Sequence, residues 1–95
     1  MNSKLNESDM EYLYKAILSL KDIDECKRFF TDLCTVPELK ALSQRLQVAK
    51  MLNNENVYSE MVSTTGASTA TISRVNRSLL MVFGLLVNVT HPFLL

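Results

Sequence analysis

The chain predicts an all-α fold, a multi-helix domain ending in a helix-turn-helix, and three observations carry that expectation. Only two glycines and two prolines interrupt 95 residues, which favours long helices over many short strands. Apolar residues recur at spacings of three and four along most of the chain, and no alternating strand pattern competes with them. The run Gly66-Ala67-Ser68-Thr69-Ala70-Thr71-Ile72-Ser73-Arg74 joins a turn-making glycine to a capped helix with small polar side chains at its front.

The elements follow in order. Ser8 and Glu11 have the spacing of a capping box, and Met10, Leu13, Ile17 and Leu20 follow at spacings of 3, 4 and 3. A first amphipathic helix is expected over about residues 9–20, its narrow stripe suited to docking along a partner. Asp22 or Asp24 opens a second helix, where Asp22, Asp24 and Glu25 place negative charge at the favourable end of the dipole. Ile23, Cys26, Phe29, Phe30 and Leu33 form its apolar side, with the Phe pair read as core. Thr35 and Glu38 make another capping box, and Pro37 is tolerated in the first helical turn. Leu39, Leu42, Leu46 and Ala49, joined by Val48 and Leu52, line a third helix that stops near Leu52 at the polar run Asn53-Asn54-Glu55-Asn56. A short helix over about 58–65 follows, with Met61 and Val62 expected inward. Gly66 then takes the left-handed conformation, and Ser68 caps a helix over about 69–80 whose Ile72, Val75 and Leu79 face the core. Ser73, Arg74 and Arg77 stay outside.

Length and charge narrow the function classes. Residues 1–80 are expected to form one small domain, completed by oligomerisation, with 81–95 an atypical apolar tail. Ten basic and ten acidic residues cancel, but unevenly. Residues 1–34 carry five basic and seven acidic groups (net −2), and residues 35–95 carry five basic and three acidic groups (net +2). A mildly basic half predicts weak non-specific affinity for nucleic acid, which a dimer would raise. The N-terminus lacks the basic region and apolar core of a secretory signal, so a cytoplasmic location with reduced thiols is expected. Cys26 and Cys34 lack metal-site spacing and are expected to be buried filler.

Catalytic chemistry finds no support. The single histidine, His91, lies beside Pro92 without a matched carboxylate or cysteine. No phosphate-cradling glycine loop, metal-ligand cluster or nucleophile elbow is present, so an enzyme is not expected and neither is a metal or cofactor. The small residues at the front of the last helix instead allow its tip to approach base edges and phosphates of double-stranded DNA. The residues expected to face DNA are Ser68, Thr69, Ala70, Thr71, Ser73, Arg74 and Arg77. Arg74 and Arg77 lie three apart, hence on one helix face, and suit a phosphate, a guanine edge or a small anion. Arg45 interrupts an apolar neighbourhood on the third helix; it either points to solvent or faces the reading helix across a pocket.

These residues resemble the Trp repressor superfamily, and within it the Trp repressor-related YerC/YecD family. The similarity covers about residues 11–79. Its distinctive parts are Ala16-Ile17-Leu18-Ser19-Leu20-Lys21-Asp22, Phe29-Phe30-Thr31-Asp32-Leu33-Cys34-Thr35, Gln44-Arg45-Leu46-Gln47-Val48-Ala49, and Gly66 through Val75. The resemblance implies an intertwined all-α homodimer in which each subunit offers one helix-turn-helix, the pair reading a two-fold symmetric operator as a transcriptional repressor. Thr69, Ala70, Thr71 and Ser73 then match the positions that face DNA. Thr35, Arg45, Arg74 and Ser78 match polar positions of a small-molecule effector site. Val75 stands where the Trp repressor has glycine, and a β-branched side chain there should crowd a flat indole ring. Val57 stands where the family has a capping Ser or Thr, a loss of about 1 kcal/mol.

The family continues past the reading helix into a polar loop and a charged helix, whereas this chain reads Leu79-Leu80-Met81-Val82-Phe83-Gly84. The loss of charge suggests the hypothesis of a truncated or altered C-terminus, as a shifted reading frame would produce. Translating the other frames of the encoding DNA tests it; if neither restores a charged helix, the idea fails. The apolar run Leu79 to Val89 has 11 residues, short of the about 20 that span a bilayer, so membrane insertion is not expected. Two other functions remain open at this level. One is a helical protein-interaction or tail-anchored module without DNA binding. The other is a DNA-binding protein of replication rather than transcription.

Overall fold

The computed structural model describes residues 4–79, which form five helices and no strand. The chain divides into two compact units, Met1–Val36 and Pro37–Leu95. The N-terminal unit carries α1 (Glu7–Leu18) and α2 (Ile23–Leu33). Asn6, not Ser8, caps α1: its Oδ1 accepts the Asp9 amide at 3.1 Å and the Ser8 hydroxyl at 2.7 Å. Asn is as good a cap as Ser, and starting here puts Glu7 and Asp9 in the first turn, where their charge favours the dipole. The helix therefore starts and ends about two residues earlier than the periodicity predicts, and the Ser19 hydroxyl closes it by donating to the Ala16 carbonyl at 2.7 Å.

Asp22 begins α2, accepting the Glu25 amide at 2.8 Å, while the Glu25 carboxylate accepts the Lys21 amide at 2.9 Å. Phe29 and Phe30 meet edge to face with ring centroids 5.3 Å apart, a favourable quadrupole arrangement. Neither helix contains a buried residue. Cys26 and Cys34 are free and half-buried, not the buried filler expected of them. The same holds across both helices of this unit, where every apolar residue is at least partly exposed.

The C-terminal unit contains nearly all of α3 (Val36–Asn53), with α4 (Tyr58–Thr65) and α5 (Thr69–Ser78). Helix α3 ends in a Schellman arrangement, with the Glu55 amide donating to the Leu52 carbonyl and the Asn56 amide to the Met51 carbonyl, both at 3.0 Å. The residue that takes the left-handed conformation there is Glu55, at φ 61°. Val48, Ala49, Met61, Ala67, Ile72 and Val75 form a closed core, with Met51, Leu52 and Leu79 packed against it.

In α2 the Phe pair expected as core is only half-buried, and in the C-terminal unit three residues of the expected apolar sides also lie outside the core. Val62 is 38% exposed, and Leu42 and Leu46 are 47% and 44% exposed. Helix α3 carries two apolar faces; Val48 and Ala49 close the core of this unit, and Leu42 and Leu46 do not. On the eight-residue α4, Met61 alone is buried. Helix α5 ends at Ser78 with Leu79 as its cap, so Leu80, expected as its last residue, lies outside the described residues. So do His91, Pro92 and the rest of the expected apolar tail. Among the described residues no helix is long and apolar enough to cross a membrane.

Candidate nucleic-acid interface

The turn between α4 and α5 is three residues long, and each has a separate physical job. Gly66 takes φ 75°, donating its amide to the Val62 carbonyl at 2.9 Å and ending α4. A Cβ built there would sit 3.9 Å from Gln44 Nε2, an ordinary contact, so the backbone angle and not crowding calls for glycine. Ala67 is 2% exposed and anchors the turn in the core. Ser68 caps α5, its Oγ accepting the Thr71 amide at 3.1 Å.

Two further residues brace this turn. Thr65 Oγ1 donates to the Met61 carbonyl at 2.7 Å and accepts the Ala67 amide at 3.1 Å. Gln44 reaches across from α3, its Nε2 donating to the Thr65 carbonyl at 3.2 Å. Carbonyls at a helix end lack internal partners, and this bond satisfies one of them. Helix α4 starts at Val57 with no side-chain cap, as its β-branched apolar side chain requires. The helix rests instead on Met61, which is fully buried between the neighbouring helices.

Helix α5 separates its sides cleanly. Ile72 and Val75 are buried. Ser68, Thr69, Ala70, Arg74 and Arg77 are exposed, and Thr71 and Ser73 are half-buried. Asn76 is also exposed and makes no side-chain hydrogen bond with a described residue, yet nothing in the sequence reading singled it out. Arg77 lies close to the side opposite the core, grouped with Ala70 and Ser73 by helical spacing.

The flank formed by Thr71, Arg74 and Ser78 turns towards Arg45 of α3. With Val75 and Leu79 these residues line a pocket of about 240 Å³. Three of the four residues expected at an effector site, Arg45, Arg74 and Ser78, are thus brought together. The fourth, Thr35, is exposed and belongs to the N-terminal unit. Gln44, half-buried, and Ala67, buried, instead support the turn from behind. Their signal was weak: a Gln among apolar neighbours and an alanine after the turn glycine.

Two helices packed together through a three-residue glycine turn, the second exposed and capped, define a helix-turn-helix protein. The chain belongs to the Trp repressor family: the model of "Trp repressor protein" matches residues 8–83. It is 55% identical to the uncharacterized protein YerC of Bacillus subtilis over 76 residues, covering 80% of this chain and 73% of that protein. Two crystal structures resemble it. A TrpR-like protein from Eubacterium eligens is 58% identical with a TM-score of 0.74, covering 82% of this chain and 80% of that one. A candidate Trp repressor from Staphylococcus aureus is 46% identical with a TM-score of 0.79, covering 85% and 84%.

Proposed function

We propose that this chain is a sequence-specific DNA-binding transcriptional regulator, a repressor acting inside the cell as a homodimer on a two-fold symmetric operator. The observation that carries the reading is the α4–Gly66–α5 turn, which leaves the capped front of α5 free to enter a major groove. Two such helices would occupy successive major grooves about 34 Å apart. Thr69, Ala70 and Ser73 face base edges or bridging water, and Arg74 and Arg77 hold phosphate. Family membership supports regulation over catalysis. The exposed apolar residues of α1, α2 and α3, among them Leu18, Ile23, Leu42 and Leu46, supply the surface for a second copy. The pocket beside Arg45 is the place for a small-molecule effector, with Val75 in its wall disfavouring tryptophan.

Selection of the full chain's preferred sites from a randomised duplex pool, followed by gel shifts on the selected and scrambled duplexes, tests this reading. Thr69→Ala is expected to narrow the difference between the two duplexes. Arg77→Ala should weaken both alike and lower the salt slope by about one. A pool from which nothing is enriched would overturn sequence-specific binding and favour a helical interaction module. Sites clustered at replication origins instead of promoters would favour a replication role.

A further inference from the structure

The uncharged polar side chains of α5 and its cap divide by whether their hydrogen bonds are already used. Ser68 Oγ accepts the Thr71 amide and donates to Thr71 Oγ1, both at 3.1 Å, and the Ser78 hydroxyl donates to the Arg74 carbonyl at 2.8 Å. The side chains of Thr69, Ser73 and Asn76 bond with no described residue. These three follow at spacings of 4 and 3, so they share one flank of the helix. It lies across the helix from the flank of Thr71, Arg74 and Ser78 that turns towards Arg45.

Asn76 stands apart from the two hydroxyl residues. Asparagine is a poor helix former, because its side chain competes for nearby backbone groups and favours caps and turns. Asn76 lies inside α5, caps neither end and bonds to no backbone group of a described residue. It is also exposed, so neither helix stability nor core packing accounts for it.

A carboxamide presents an acceptor and a donor side by side in one plane. In the major groove adenine alone offers the matching pair on one base, a donor at N6 beside an acceptor at N7. Guanine shows two acceptors there, cytosine a donor, and thymine an acceptor beside a methyl group. A hydroxyl meets donors and acceptors alike, so Thr69 and Ser73 carry no such selectivity. The reach also fits. Thr69 and Asn76 are seven residues apart, about 10 Å along the axis, or about three base-pair steps. Arg77 follows about 100° further round, exposed and without an ion pair to any described residue, where it can hold phosphate beside the same base.

We propose that Asn76 is a specificity-determining residue whose carboxamide oxygen accepts from N6, and whose nitrogen donates to N7, of one adenine in each half-site. The inference rests on the DNA-reading role of α5 and names the base that one of its residues selects.

The test selects sites from a randomised duplex pool with the full chain and with Asn76→Ala, whose thermal unfolding should match because the residue is exposed. The unaltered chain is expected to fix an adenine at one equivalent place in both half-sites. Asn76→Ala should lose that preference alone and keep the others. In gel shifts, 7-deazaadenine at that place removes only the N7 acceptor. It should weaken the unaltered chain at least about fivefold and leave Asn76→Ala unchanged. Equal sensitivity of the two chains to 7-deazaadenine, or the same adenine preference in both pools, overturns the role of Asn76. A selected site without a fixed adenine overturns it too, while leaving sequence-specific binding in place. A pool in which neither chain enriches any duplex overturns the DNA-binding reading itself, and this inference with it.

Discussion

The N-terminal helices are both capped by side chains, while in the C-terminal trio α4 has no such cap, yet it is the trio whose apolar sides close a core. In α1 and α2 no residue is buried, and Tyr12, Leu18 and Ile23 are 78%, 84% and 84% exposed. In α3, α4 and α5 a closed core of six residues is shared between α3, α4, the turn and α5. Caps decide where helices begin, but isolated helices of 12 and 11 residues are marginal in water whatever their caps. The comparison teaches that the unit bearing α4 and α5 closes a core of its own within one chain, although α3 keeps Leu42 and Leu46 exposed. In the other unit every described apolar residue stays at least partly exposed, and the proposed homodimer would cover some of that surface.

That contrast can be broken at its strongest point by Met61→Ala. Removing a fully buried side chain from the C-terminal core should cost about 2–5 kcal/mol in urea unfolding. Next comes the other unit. Leu18→Lys changes a residue that one chain leaves exposed, so it should spare the C-terminal core yet weaken self-association at least about tenfold, read by sedimentation at several concentrations. If it leaves self-association unchanged, α1 is not part of the contact. Gly66→Ala sharpens the account of the turn. With φ 75° and room for the Cβ, the expected loss is the backbone strain of about 1–2 kcal/mol, read from thermal unfolding. The smallest effect is a gain. Glu55→Gly relieves the left-handed strain at φ 61° and should raise stability by up to about 1 kcal/mol, with DNA binding unaffected.

Much of this fold was legible because its signals are local. Gly66 and Ser68 act on their own neighbours in the chain, so residue type and spacing were enough to place the turn and the cap. Asn6 shows the limit of local reasoning: two good caps two residues apart compete, and the choice between them shifts a whole helix by two residues. Periodicity identified the apolar faces but not their partners, which explains Leu42, Leu46 and Val62. A leucine stripe reads the same whether the covering surface comes from this chain or another. The supporting roles of Gln44 and Ala67 depend on how helices meet, and spacing carries no such information. For the candidate site, Arg45 and Arg74 lie on different helices; residue type left Arg45 either in solvent or facing α5, and the family resemblance paired it with Arg74. Thr71 was read by type as a base contact, whereas its bond to Ser68 is visible only in three dimensions.

The most direct measurement of the central claim is native mass spectrometry of the full chain mixed with a duplex recovered by selection. The account predicts two chains on one duplex, on a site with two-fold symmetry, and no complex of the same stoichiometry with Leu18→Lys. A single chain bound alone with full sequence preference, or no bound chain at all, would contradict it.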